Sequence, residues 1–300
     1  MIVPNFIVAG AQKSGTTYLQ HCLMDHPDVF MPEEEIPYFE DFDYHTRPWE
    51  EFVKQFNPGM GKKAIGIKRP DYMGRPNCAE NIHERLPDAK LFFVLRNPVE
   101  RAISAYFNFV GYACLPVEPI NNGLRNVLRG AYKDYGVAQE ILDFGFYHKH
   151  LARFRDRFPP ENIMVIRFED ITQRSVEVFR QVYRFLGIDE NHVPKPLNAR
   201  FQVTAKSLVT LHFRNLMSEL IYEYSEDRTR FEPREMIEAE KYLYTLLAQL
   251  EEKIVQPHFT QIRTPIDERV YDELYRLYRE DIAALEGVTG WDLSAWKRDV

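Results

Sequence analysis

Cysteine is scarce in this 300-residue chain, with only Cys22, Cys78 and Cys114 present. They form no CxxC pair and no metal-ligand spacing, and an odd number excludes a fully bridged disulfide framework, so reduced, packed thiols are expected. No apolar run approaches the length needed to span a membrane. A strand-like stretch at 6–9 begins so near Met1 that no signal peptide is expected ahead of it. Positive charge is not in excess: 38 Lys and Arg against 45 Asp and Glu leave a formal net charge of −7. That balance argues against a broad nucleic-acid or anionic-membrane surface. Any anion site must therefore be a local gathering of cations. Internal repeats and low-complexity segments are also missing, and a soluble, cytoplasmic protein is the expectation.

The most informative absence is one lysine. GAQKSGTT at residues 10–17 follows the apolar run Phe6, Ile7, Val8, Ala9 and has the glycine spacing of a phosphate-binding loop. A nucleoside-triphosphate loop would carry Lys after its second glycine, where it reaches the terminal phosphates, but here Thr16 stands in that place. The only cation, Lys13, lies inside the loop. Such a loop still cradles a 5′-phosphate against the following helix N-terminus. It is poorly suited to a Mg²⁺-bridged triphosphate, and no carboxylate pair for a metal is evident.

The first half alternates strand-like and helix-like pieces, which predicts an α/β fold with a central, mostly parallel sheet. Strands are read at 6–9, Ala64–Lys68, 91–95 and Ile163–Arg167; helices are read at 14–26, 79–86, 146–158 and Ser175–Leu186, the last stopped by Gly187. Beyond Pro194 long helical patterns follow at 208–224 and 236–255. Leu243, Leu247, Leu250 and Ile254 mark one face of the second, and Val270, Leu274, Leu277, Ile282 and Leu285 stripe the last helix. Core packing is the reading of these stripes.

A second motif begins where the LFFVL strand ends: Arg96, Asn97, Pro98, Val99, Glu100, Arg101, Ala102, Ile103, Ser104. Ligands of open α/β sheets bind beyond the carboxyl ends of the strands, which is where Arg96 falls. Asn97 suits an N-cap, Pro98 the first helical position and Glu100 the reciprocal capping position. Arg96, with its planar fork, and Ser104, two turns into the helix, form a candidate clamp for one phosphate. Arg101 is a candidate helper. A surface arginine and a solvated serine are the plain alternative.

Together the two motifs resemble the sulfotransferases that use 3′-phosphoadenosine 5′-phosphosulfate (PAPS). QKSGTTYL at 12–19 is similar to their 5′-phosphosulfate loop and RNPVERAISAY at 96–106 to their 3′-phosphate motif. HPDV at 26–29, EIPYF at 35–39, KRPDY at 68–72, Tyr147, RFED at 167–170 and TGWDL at 289–293 follow in the same order as family stretches, some shared with the heparan-type enzymes. The resemblance implies a single domain over 1–300 with a P-loop-like three-layer fold. Its parts would be a nucleotide-binding core at 1–200, a helical insertion at 201–263, and a C-terminal helix and tail at 264–300. It implies PAPS as sulfuryl donor, no metal, and a hydroxyl-bearing acceptor that is a small molecule, glycan or carrier-bound chain.

By that resemblance Gln12, Lys13, Ser14, Gly15, Thr16, Thr17, Arg96, Ser104 and Tyr147 bind the donor, with Lys13 neutralising the leaving bisphosphate. Sulfuryl transfer needs positioning and charge neutralisation more than a metal clamp. The acceptor hydroxyl must also lose its proton. Glu35 is the candidate base and Lys68 the candidate cation on the acceptor side. The alternatives are a solvated acidic run at Glu33, Glu34 and Glu35, and a decorative strand-end lysine. His148 and His150, two apart on a helix, point in different directions and do not share a ligand easily. His21 and His26 are read as structural. Arg263 is a further candidate for the 3′-phosphate, and the stretches 38–49 and 106–119 are candidate walls of the acceptor cleft. The rival readings are a P-loop kinase, which position 16 opposes, and a nucleotide-binding module without catalysis.

Overall fold

The computed structural model describes residues 2–195, 207–259 and 265–298. They divide into two compact units, one built from Met1–Asn97 and Tyr147–Gln202, the other from Pro98–Phe146 and Val203–Val300.

The first unit is organised by five strands: β1 (Phe6–Gly10), β2 (Val29–Phe30), β3 (Ala64–Lys68), β4 (Lys90–Leu95) and β5 (Ile163–Arg167). They pair in the order β2-β3-β1-β4-β5, and every pairing is parallel. Both faces of this sheet are covered, which explains why its strands read as unbroken apolar runs. On one face Phe6, Val8, Phe92, Val94 and Ile166 pack with Leu19, Cys22 and Leu23 of helix Thr16–Met24 and with Val178, Phe179, Val182 and Tyr183 of helix Ser175–Leu186. On the other face Phe93 meets Phe154 of helix Tyr147–Arg155 edge to face at 4.9 Å. Alternate residues of each strand thus serve opposite layers. The result is the expected α/β sandwich of three layers.

Strand order also locates the ligand crevice. From β1 the chain moves to β2 and β3 on one side; from β4 it moves to β5 on the other. The carboxyl ends of the adjacent strands β1 and β4 therefore flank the topological switch point, where open α/β sheets bind ligands.

The second unit is mainly helical. Helix Pro98–Gly111 begins at the proline, as its sequence predicts. Helices Ile120–Leu128, Gly136–Asp143, Leu208–Ile221, Glu238–Leu250 and Glu268–Thr289 accompany it. Three readings need correction here. The pattern at 208–224 stops helical geometry at Ile221, and Tyr222–Tyr224 turns into a strand paired antiparallel with Phe231–Pro233. Its tyrosines meet Phe231, with Tyr222 at 4.8 Å between ring centroids, so aromatic cross-strand packing outweighs helical continuation. In helix Glu238–Leu250 no residue is buried, and Leu243, Leu250 and Ile254 are exposed rather than core. The last helix keeps its stripe, burying Val270, Leu274, Ile282 and Leu285, although Leu277 is exposed. Among the described residues no helix is long and apolar enough to cross a membrane.

Candidate functional site at the carboxyl edge of the sheet

Residues 10–17 leave β1 and turn sharply into helix Thr16–Met24. Lys13 and Gly15 both adopt left-handed backbone conformations, with φ of 63° and 90°. At Gly15 a Cβ would also press on the Phe168 ring at 3.0 Å, so glycine answers two demands there. The loop is tied to β4 by Ala11 N–H donating to the Val94 carbonyl at 2.9 Å. Helix Thr16–Met24 has no side-chain cap and no acidic residue in its first turn. A helix start of that kind attracts an anion.

The loop side chains fit an anionic ligand as well. Ser14 is fully buried, and its hydroxyl has no hydrogen-bond partner among the described residues; the Gln12 Oε1 atom is in the same state. A buried hydroxyl in that condition is a built-in donor for a phosphate oxygen. The Ser14 N–H closes the turn onto the Ala11 carbonyl at 3.2 Å. Thr16 is buried and Thr17 half-buried.

Lys13 is half-buried here, and its desolvation pulls the ammonium down to about 8. Glu35 and Asp71 act to raise it, while Arg96 and Lys68 lower it further. These neighbours gather the expected charged residues into one neighbourhood: Lys13 from the loop, Lys68 from the end of β3, Arg96 from the end of β4, and Glu35. The Arg96 guanidinium lies over the Phe168 ring, 5.2 Å from its centroid.

Glu35 and Lys68 form a pair. Lys68, only 4% exposed, places its Nζ 3.2 Å from Glu35 Oε1 and donates to Thr17 Oγ1, also at 3.2 Å. The opposite oxygen, Glu35 Oε2, receives Arg69 Nη1 at 3.1 Å. Arg69 was not singled out from sequence, nor was Asp71, which accepts from Gln12 Nε2 at 3.1 Å. The available signal was Lys-Arg-Pro-Asp directly after an apolar strand, at the same sheet edge as the loop.

The remaining expected residues lie on other elements. Ser104 is half-buried on helix Pro98–Gly111 of the second unit. Arg101, the expected helper, is fully buried in that unit; its Nη2 donates to the Ile141 carbonyl, in the last turn of helix Gly136–Asp143, while Nε and Nη1 have no hydrogen-bond partner among the described residues. Tyr147 is buried in the first turn of helix Tyr147–Arg155. His150 is buried with its Nδ1 2.5 Å from Arg153 Nη2, whereas His148 is half-buried, so the two do diverge. His26 is structural: its Nδ1 accepts the Asp28 N–H at 3.1 Å, which leaves Nε2 to donate to the Asp189 carbonyl at 3.0 Å. Tyr38 and Phe39, read as acceptor-cleft walls, are core residues: both pack on Phe52, and Phe39 also meets Tyr72. Arg263 lies outside the described residues.

The Sulfotransferase domain family profile matches residues 4–230. The chain belongs to the sulfotransferase family. Among its relatives, membrane-associated sulfotransferase kil1 of Dictyostelium discoideum is 38% identical over 35% of this chain and 23% of its own length. Human heparan sulfate glucosamine 3-O-sulfotransferase 6 is 29% identical over 62% of this chain and 52% of its own length. The chain thus spans about half or less of these curated relatives. The crystal structure of a sulfotransferase from Alicyclobacillus acidocaldarius matches 99% of this chain and 100% of that one, with a TM-score of 0.70 at 23% identity. That likeness concerns the fold. Family membership sets aside the kinase reading.

Proposed function

We propose that this sulfotransferase-family chain moves a sulfuryl group from PAPS to a hydroxyl acceptor without a metal, releasing 3′,5′-adenosine bisphosphate. The observation that carries the reading is the loop at the β1–β4 switch point. There the buried Ser14 hydroxyl, without a partner among the described residues, and a helix start without a side-chain cap sit with Lys13 among the charges of Arg96 and Lys68. The bound donor would supply an activated sulfuryl group on a phosphate leaving group. Gln12, Lys13, Ser14, Gly15, Thr16 and Thr17 would hold its 5′ side, and Arg96 and Ser104 its 3′-phosphate, with Tyr147 beside the nucleotide. Lys13 neutralises charge on the departing phosphate. Glu35 accepts the proton of the acceptor hydroxyl, and Lys68 holds Glu35 while facing the acceptor.

The relatives' names include both glucosamine 3-O-sulfotransferases and heparan sulfate N-sulfotransferases, and the hydroxyl acceptor follows the former. A cytoplasmic setting is part of the same proposal and draws on three cysteines that are all buried and unbridged. Titration calorimetry with 3′,5′-adenosine bisphosphate in EDTA, beside ATP with and without Mg²⁺, tests the donor. Tight metal-free binding of the bisphosphate and weak binding of ATP is the expected result. A preference for Mg-ATP, or binding of neither, defeats the proposal.

A further inference from the structure

Glu35 is the last of three consecutive glutamates and is exposed, yet its carboxylate is held on both oxygens. Lys68 alone would not fix it. An ammonium is a rotating point charge that restrains one oxygen and leaves the carboxylate plane free to swing about it. The second oxygen is taken by Arg69, whose own guanidinium is immobilised from two further sides. Arg69 Nε reaches Glu40 Oε1 at 2.5 Å, and Nη2 reaches Asp71 Oδ2 at 3.2 Å. Asp71 is turned in its place by Gln12. Although burial opposes the Arg69 charge, Asp71, Glu40 and Glu35 together hold it well above its ordinary value.

These contacts close a circuit that begins and ends on the phosphate loop. Gln12 donates to Asp71, Asp71 accepts from Arg69, Arg69 donates to Glu35, Glu35 accepts from Lys68, and Lys68 donates to Thr17. The backbone reinforces it. The Tyr72 hydroxyl donates to the Ile36 carbonyl and accepts the Phe39 N–H at 3.3 Å, so the short helical turn Pro70–Met73 grips the segment just after Glu35.

We propose that Arg69 is a positioning residue, whose planar fork fixes the Glu35 carboxylate and registers it to the phosphate loop through Asp71 and Gln12. The inference rests on the reading of Glu35 as general base. Its action is on the rate of the transfer step, since Arg69 touches the carboxylate and not the loop that holds the bisphosphate.

The test uses the full chain, PAPS, and the most active member of a panel of uncharged alcohols, phenols and glycosides as acceptor probe. Arg69→Met is expected to lower kcat by roughly tenfold to a hundredfold, the scale on which supporting contacts tune a reactive group. The bisphosphate dissociation constant by calorimetry, and KM for the probe, stay within about threefold of wild type. Arg69→Lys, which keeps charge but loses the fork, recovers only part of kcat. On a Glu35→Gln background Arg69→Met costs nothing further, as for two residues acting through one group. Should Arg69→Met fail to fold by circular dichroism, the near-isosteric Asp71→Asn, which loosens one anchor of the fork, is expected to lower kcat in the same direction. Wild-type kcat in Arg69→Met, or in Asp71→Asn where that variant must decide, overturns the proposal. So does a multiplicative loss in the double variant. A wild-type chain that binds the bisphosphate but transfers nothing to any acceptor removes the underlying reading as well, which is a different result from an active enzyme indifferent to Arg69.

Discussion

Lys13 is a cation in a place that resists it, and the resistance has a use. Burial lowers its ammonium to about 8 from 10.5, so near neutral pH the charge persists at a cost to the fold. The sign follows from linkage. Below about 8 the lysine is charged in both folded and unfolded chains and the cost is fully present. Between about 8 and 10.5 the folded chain gives up its proton first, the unfolded chain binds more protons, and stability rises with pH. Lys13→Met is therefore expected to raise the melting temperature at pH 7 while collapsing bisphosphate affinity. Thermal melts beside calorimetry check both, and a lower melting temperature would contradict the argument. A bisphosphate beside Lys13 favours its charged form against the opposing pull of Arg96 and Lys68. Binding at pH 8–8.5 should thus take up a proton and weaken as pH climbs further. Calorimetry in two buffers of different ionisation enthalpy reads that uptake, which Lys13→Met should abolish.

At the scale of elements, the legible parts of the chain are those where local signal and tertiary role agree. Strands β3 and β5 have the bounds read from sequence, because apolar β-rich runs stopped by charge or turn residues become strands buried between layers. Helix Ser175–Leu186 ends at Gly187 with φ 74°, a left-handed stop that glycine accepts without strain. The two-residue strand β2 was not legible: Val29 and Phe30 become a strand only because they pair with Ala64 and Ile65. Helices Ile120–Leu128 and Gly136–Asp143 were missed because each is short and defined by tertiary packing. Within the site, the loop and Arg96 could be read because their chemistry is local in sequence. Arg69 could not, since its meaning comes from contacts with residues 29 and 34 positions earlier. The β1–β3 pairing has a sharper test. Phe6 stands opposite Gly66, and a Cβ at position 66 would run into the Phe6 ring. Gly66→Ala should destabilise the chain by about 1–3 kcal/mol through overpacking, read by urea unfolding. A cost under about 0.5 kcal/mol would mean the ring does not lie over that glycine.

At the scale of the whole molecule, charge separates what the chain can hold from what it can attract. A net charge of −7 makes the long-range field repel polyanions, while the cations that matter are few and local. Lys68 and Arg69 are already engaged by Glu35, Glu40 and Asp71, so their positive charge is largely compensated. Glu33 and Glu34 add exposed negative charge beside it. An acceptor carrying many sulfates would have to approach against that field. An uncharged hydroxyl compound would feel almost none of it. Screening shortens the field to roughly 8 Å at physiological ionic strength, so repulsion of a polyanion should be strongest in dilute salt. The expectation is that, in an acceptor panel at low ionic strength, uncharged glycosides, phenols and alcohols are turned over in preference to polysulfated glycans. The disfavoured glycans should gain relative rate as salt rises, whereas the uncharged acceptors should not. Retention of the chain on immobilised heparin at 0.15 M salt, with faster turnover of sulfated than of unsulfated glycans, would show that a local basic surface overrides the global charge.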